Sequence, residues 1–240
     1  MGSPVGQQSN NLRLAPNTQF RNSDRDGANS VARSKSPGLS RGRAAAAAMS
    51  PESKKSLVLA LCLVASLSFS SFAQLAPFYP LKARSLDISV IFVGQVMSTM
   101  AVSQIISGFI VGRIMHSIGS SNSGKFKMIL GSLILIIIQN LMLASLAMVK
   151  NPQVFLFVSF IAQIFGGFGA GALSTSTMAL LGTFANDERE KFIGWIEGAN
   201  GLGLLFGPVL GVFLYNLGGY AMPFLMMASF LILSFPYISI

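Results

Sequence analysis

Six stretches of the 240-residue chain are long and apolar enough to cross the hydrocarbon layer of a bilayer, about 30 Å thick, which takes roughly 20 residues of helix. They lie at about 56 to 79, 88 to 112, 127 to 148, 153 to 182, 192 to 216 and 220 to 240. Their interiors hold few charges and their lengths suit helices, whereas barrel strands would be short, alternating and separated by turns. The pattern predicts an all-α polytopic membrane protein with six transmembrane helices in a bundle over 56–240. Residues 1–50 read differently, being rich in Ser, Asn, Gly, Arg and Gln with an AAAAA run at 44–48. Such a segment cannot bury a core, and a disordered tail is expected. The first apolar stretch starts more than fifty residues in, too deep for the hydrophobic region of a cleaved secretory signal, so it is expected to stay as a span.

Composition agrees, since 52% apolar and 10% charged residues are too hydrophobic for an ordinary soluble domain. The charge is uneven. Residues 1–55 carry nine Lys or Arg against three acids, and the other 185 residues carry eight against five, so the net charge of +9 belongs mainly to the tail. If alternate loops share a side, the tail's nine join Arg113, Lys125, Lys127, Arg189 and Lys191 for a total of 14, against Lys82, Arg84 and Lys150 opposite. Cytoplasmic loops carry the excess, which predicts a cytoplasmic N-terminus. A basic tail beside a membrane either binds anionic lipid, with SKSP at 35–38 as a phosphorylation point, or is simply solvated. Nothing points to nucleic acid, and plasma membrane and vesicle or organelle membranes are not distinguished.

Enzyme chemistry finds little support. Cys62 is the lone cysteine and His116 the lone histidine, so neither an internal disulfide nor a histidine metal site is expected. No Ser, His and Asp set, phosphate loop or carboxylate pair stands in a plausible site, and no cofactor or metal is expected. The notable polar positions are inside the spans. On a helix, Gln163, Gly167, Ala170, Ser174 and Thr177 share one small and polar stripe, and Ser66, Ser70, Gln74 and Pro77 form another in the first span, ending in APFYP at 76–80. Such stripes either line a cavity or consist of hydroxyls bonded back to their own helix. Glu197 is the one carboxylate inside a predicted span, roughly five residues, or ~8 Å, from its start. It is a candidate proton carrier with Asn200 three residues on; the competing reading is an interfacial residue near Arg189 or Lys191.

Three segments carry a family resemblance. In GANGLGLLFGPVLG at 198–211, Gly203, Gly207, Pro208 and Gly211 match the antiporter motif of the fifth helix in the major facilitator superfamily, G-x-x-x-G-P-x-x-G-G, with Val212 in place of the last glycine. A glycine every fourth residue also serves plain close packing of membrane helices. GFIVGRIMHSIG at 108–119 is similar to the signature between helices two and three through Gly108, Arg113 and Gly119, with Gly112 where an acid is usual. Close packing of Gly108 and Gly112, and a positive-inside anchor at Arg113, account for it equally. FIAQIFGGFGAGALSTSTMALL at 160–181 resembles the fourth helix through Gly167, Gly169 and Gly171, with Gln163 where arginine is frequent. Glu197 before the glycine ladder and the APFYP segment are similar to the vesicular amine and multidrug exporter branches.

The resemblance covers 56–240 and implies one six-helix half of the superfamily fold, in which helices one and four line a substrate cavity. Ser66, Ser70, Gln74, Gln163, Ser174 and Thr177 are then the expected cavity residues. The implied activity is secondary transport of a small solute by alternating access, with Glu197 coupling it to a proton in possible exchange. Implied partners are the lipid bilayer, the solute, a coupling proton, and a missing C-terminal half or a second copy. The alternative is a non-transporting six-helix scaffold or partner-binding subunit whose polar stripes are helix glue.

Overall fold

The computed structural model describes residues 49–118, 122–184 and 186–238, so the tail and Gly119 lie outside the described residues. Seven helices are found among them. They are α1 (Pro51–Ala73), α2 (Leu75–Arg84), α3 (Val90–Ile118), α4 (Asn122–Ser145), α5 (Pro152–Leu181), α6 (Asn186–Gly218) and α7 (Ala221–Ile238). Together α1 and α2 form one membrane-crossing stretch, Pro51–Arg84, interrupted at Gln74. Pro77 lacks the N–H that would bond the Ala73 carbonyl, which fits the interruption. Among the described residues five stretches are long and apolar enough to cross a membrane, and α7 is apolar but shorter, with Ala221–Tyr237 as its apolar run. The protein is a multi-pass, all-α membrane protein.

Helix ends follow local chemistry. At α1 the Ser50 hydroxyl accepts from the Ser53 amide at 3.2 Å and Pro51 occupies the first turn, where its missing N–H costs nothing. Asn151 caps α5, its Oδ1 accepting from the Gln153 amide at 2.9 Å, again with proline next in the chain. Gly219 joins α6 to α7 at φ 72°, a left-handed conformation that a residue without Cβ adopts freely.

Packing is organised as two parallel helix pairs joined at the back. The first pair is α1 with α6, which advance in step: Gly203 lies on the Ser66 backbone, Gly207 on Ser70 and Gly211 on Gln74 and Phe78. Phe78 and Tyr215 continue the register with rings stacked 5.1 Å apart, and at the start of the helices Lys54 Nζ meets Glu188 Oε2 at 3.0 Å. The second pair is α3 with α5, where Gly167 lies on the Met100 backbone and Gly171 on Gln104 and Ser107. Ser107 also donates its hydroxyl to the Phe168 carbonyl at 2.7 Å. Antiparallel to α5 runs α4, with Ile136 under Gly169, and α7 packs on α4, α1 and α6. Lipid tails offer no hydrophobic gain for association, so backbone approach over glycine and interhelical hydrogen bonds hold these seams. The other face of α6 carries exposed Leu205, Phe206, Val209 and Phe213, a surface suited to lipid or to another apolar bundle.

Candidate functional site: a polar cleft between the helix pairs

Between the two pairs lies a partly open cleft of about 160 Å³. Its walls are Ala65, Ser68, Phe69 and Phe72 of α1, Met97, Met100 and Gln104 of α3, and Ser174 and Thr177 of α5. Ile136 and Gln139 of α4 form part of the lining, as do Ile196 and Asn200 of α6. No charged side chain among the described residues lines it. Hydroxyls and carboxamides supply its polarity, and aromatic and methionine side chains the remainder, a mixture suited to a small solute with both characters. A shallower groove on the outer side of α3 and α5 includes Ser98 and Thr99, whose hydroxyls donate to the Gly94 and Gln95 carbonyls of their own helix.

The two polar stripes have different fates. On α5, Ser174 and Thr177 stand on the cleft wall. Gln163 does not; it is fully buried, and its Oε1 accepts from Gln139 Nε2 at 2.9 Å. On α1, Ser66, Ser70 and Gln74 were expected on a cavity, and the structure puts them at the seam with α6 instead. The wall of α1 is another face, 65, 68, 69 and 72, centred about 150° around the helix. Small polar residues at 66 and 70 let the glycines of α6 reach the α1 backbone, and Gln74 Nε2 is turned to the Pro223 carbonyl of α7 at 3.5 Å. The antiporter-like motif of Gly203, Gly207 and Gly211 is the other half of that seam, and α6 continues unbroken through Pro208.

Glu197 lies on an exposed part of α6, eleven residues after Asn186, about 16 Å along the axis and not the ~8 Å expected from a later helix start. Its Oε2 accepts from Asn200 Nδ2 at 3.4 Å. Neither cation of the preceding turn is its partner: Lys191 lies over the Trp195 ring at 5.3 Å, and no ion pair to Arg189 is found among the described residues. Asn200 reaches the cleft, and its Oδ1 is buried without a partner. In the loop motif Gly108 approaches Thr175 Oγ1, where an added Cβ would lie at 3.8 Å, Gly112 faces open space, and Arg113 is exposed near the end of α3.

Gln139 and Gln104 were missed by sequence reasoning. The available signal was a carboxamide in the middle of an apolar run, ILIIIQNLML for Gln139, since an amide buried there is costly unless bonded.

A bundle of apolar helices paired in parallel around a polar cleft is the class of a multi-pass membrane protein, and the sequence match agrees: the Major Facilitator Superfamily profile matches residues 42–239. The chain belongs to that superfamily. Among named relatives, it is 25% identical to the MFS-type transporter SLC18B1 of Mus musculus over 166 residues, which is 69% of this chain and 35% of the relative. With SLC18B1 of Homo sapiens it shares 25% over 182 residues, 75% of this chain and 39% of the relative. The Rattus norvegicus protein matches at 25% over 185 residues, 76% and 40%. The matched stretch thus spans well under half the length of these curated relatives.

Proposed function

We propose that the chain supplies one bundle of a secondary transporter and that its cleft is one wall of the solute path. The observation that carries the reading is the cleft itself, a polar and apolar pocket bounded by α1, α3, α4, α5 and α6 in a superfamily chain whose relatives are named transporters. Ser174 and Thr177 contact the solute from α5. A second bundle, from further chain or from a second copy, faces the open side, and rocking of the two about the site gives alternating access. The N-terminus is on the cytoplasmic side, in keeping with the 14 to 3 division of Lys and Arg across the loops.

Glu197 couples transport to protons, with exchange as the mode. A carboxylate on the membrane-spanning part of α6, next to cleft-lining Asn200, is costly in contact with lipid and is accommodated by an aqueous path. Protonation on one side and release on the other then link the cleft to the proton gradient. The test is uptake from a mixture of small metabolites into vesicles holding the protein, with and without an imposed pH gradient, read by mass spectrometry. Accumulation that follows the gradient and loses that dependence in Glu197→Gln supports the coupling. Accumulation that ignores the gradient in both proteins removes Glu197 from the mechanism.

A further inference from the structure

We propose that Gln139, on α4, offers its carboxamide oxygen to the solute as a hydrogen-bond acceptor, and that Gln163 is the positioning residue that fixes this orientation. The proposal rests on reading the cleft as the solute site. Its starting point is Met97, whose thioether sulfur can only accept. Gln163 Nε2 lies 3.9 Å from that sulfur, which leaves Gln163 Oε1 directed at Gln139. Gln139 must therefore donate, and its Nε2 does so at 2.9 Å. Its Oε1 is left without a partner on a residue that lines the cleft. Gly166 makes the arrangement possible, because a Cβ there would collide with the Gln139 carboxamide.

The same polarity recurs on α6. Asn200 also lines the cleft, donates its Nδ2 to Glu197, and keeps Oδ1 buried and unpartnered. Each carboxamide thus has one of its two N–H groups engaged and its oxygen without a partner among the described residues. A solute group bearing N–H or O–H donors satisfies them, while a carboxylate or another acceptor-only group leaves the buried Asn200 oxygen and the Gln139 oxygen on the cleft wall unpaired. The remainder of the solute meets Phe69, Phe72 and Met100.

The test uses the full chain in membranes, with Cys62→Ala removing the lone native thiol and Ser174→Cys placing a reporter on the cleft wall. Its reaction with 2-aminoethyl and 2-sulfonatoethyl methanethiosulfonate, each normalised to a free thiol in solution, gives a donor-over-acceptor rate ratio. We expect a ratio of at least tenfold. Gln139→Leu, and separately Gln163→Leu or the length-preserving Gln163→Met, should each lower it threefold or more while the reporter still reacts. Glu197 is present in every variant, so its field cancels in the comparison. A purely structural role for Gln163 shifts both rates together and leaves the ratio intact, which overturns the positioning role. A ratio near one, or one unchanged by Gln139→Leu, overturns the acceptor role. Uptake is not part of this readout, so a failed uptake assay removes the transport reading and leaves the carboxamide orientation standing.

Discussion

Replacing Gly207 by alanine tests the seam on which the cleft is built. A Cβ added there would lie 2.8 Å from the Ser70 carbonyl oxygen, 2.9 Å from Ser70 Cα and 3.0 Å from Ala73 Cβ. Unstrained heavy-atom contacts fall at roughly 3.5–4.0 Å, so α1 and α6 must part by roughly 0.7 Å or more. Backbone atoms on one side and a rigid helix on the other cannot yield as a flexible side chain would. Overpacking of this kind costs about 1–3 kcal/mol. At ~2–4 °C per kcal/mol for a chain of this size, the apparent melting temperature should fall by about 2–12 °C. Gly201, on the same helix, is the internal control, because nothing lies within 4 Å of its added Cβ. There the substitution gains up to ~1 kcal/mol of helix propensity, so Gly201→Ala should be neutral or slightly stabilising. The assay is the loss of the monodisperse peak in detergent size-exclusion chromatography after a heating series. Equal losses for the two variants, or none for Gly207→Ala, would refute the seam.

Other expectations follow the same geometry. Asn151→Ala removes the α5 cap and should cost about 1 kcal/mol, read as a fall of ~2–4 °C in the same assay, while Asn151→Ser should retain most of it. Ser107→Ala loses the α3 to α5 hydrogen bond to the Phe168 carbonyl, worth ~0.6 kcal/mol in a membrane interior, and should leave the cleft reporter at Ser174 reactive. The Lys54 to Glu188 pair is half-exposed on the glutamate side, so a double-mutant cycle should return under ~1 kcal/mol, falling further in high salt.

Much of the architecture was legible because its causes are local. Each of the six apolar segments overlaps a described helix, and Ser50 with Pro51 and Asn151 with Pro152 are start signals that need only neighbouring residues. The every-fourth-residue glycines of α6 were readable as a close-contact stripe. What they touch was not, because the partner is 137 residues away, Gly203 against Ser66. The same limit misdirected the α1 stripe. Ser66, Ser70 and Gln74 are polar and share a face, but face sharing does not say whether a cavity or a helix lies opposite, and here it is α6. The true wall, Ala65, Ser68, Phe69 and Phe72, mixes polar and aromatic residues and gives no periodic signal of its own. On α5 the stripe was only partly a wall, because Gln163 turns to Gln139 across the α4 contact while Ser174 and Thr177 remain on the cleft.

Filling the cleft tests the transport account most directly. Ser174→Trp projects an indole into a cavity of about 160 Å³, and Leu210→Trp adds the same side chain on the exposed face of α6. The account predicts metabolite uptake into vesicles by the unmodified protein and by Leu210→Trp at comparable rates, with Ser174→Trp at least tenfold slower at equal protein in the membrane. Uptake by Ser174→Trp at the unmodified rate would contradict it, since solute would then be crossing by a path other than this cleft.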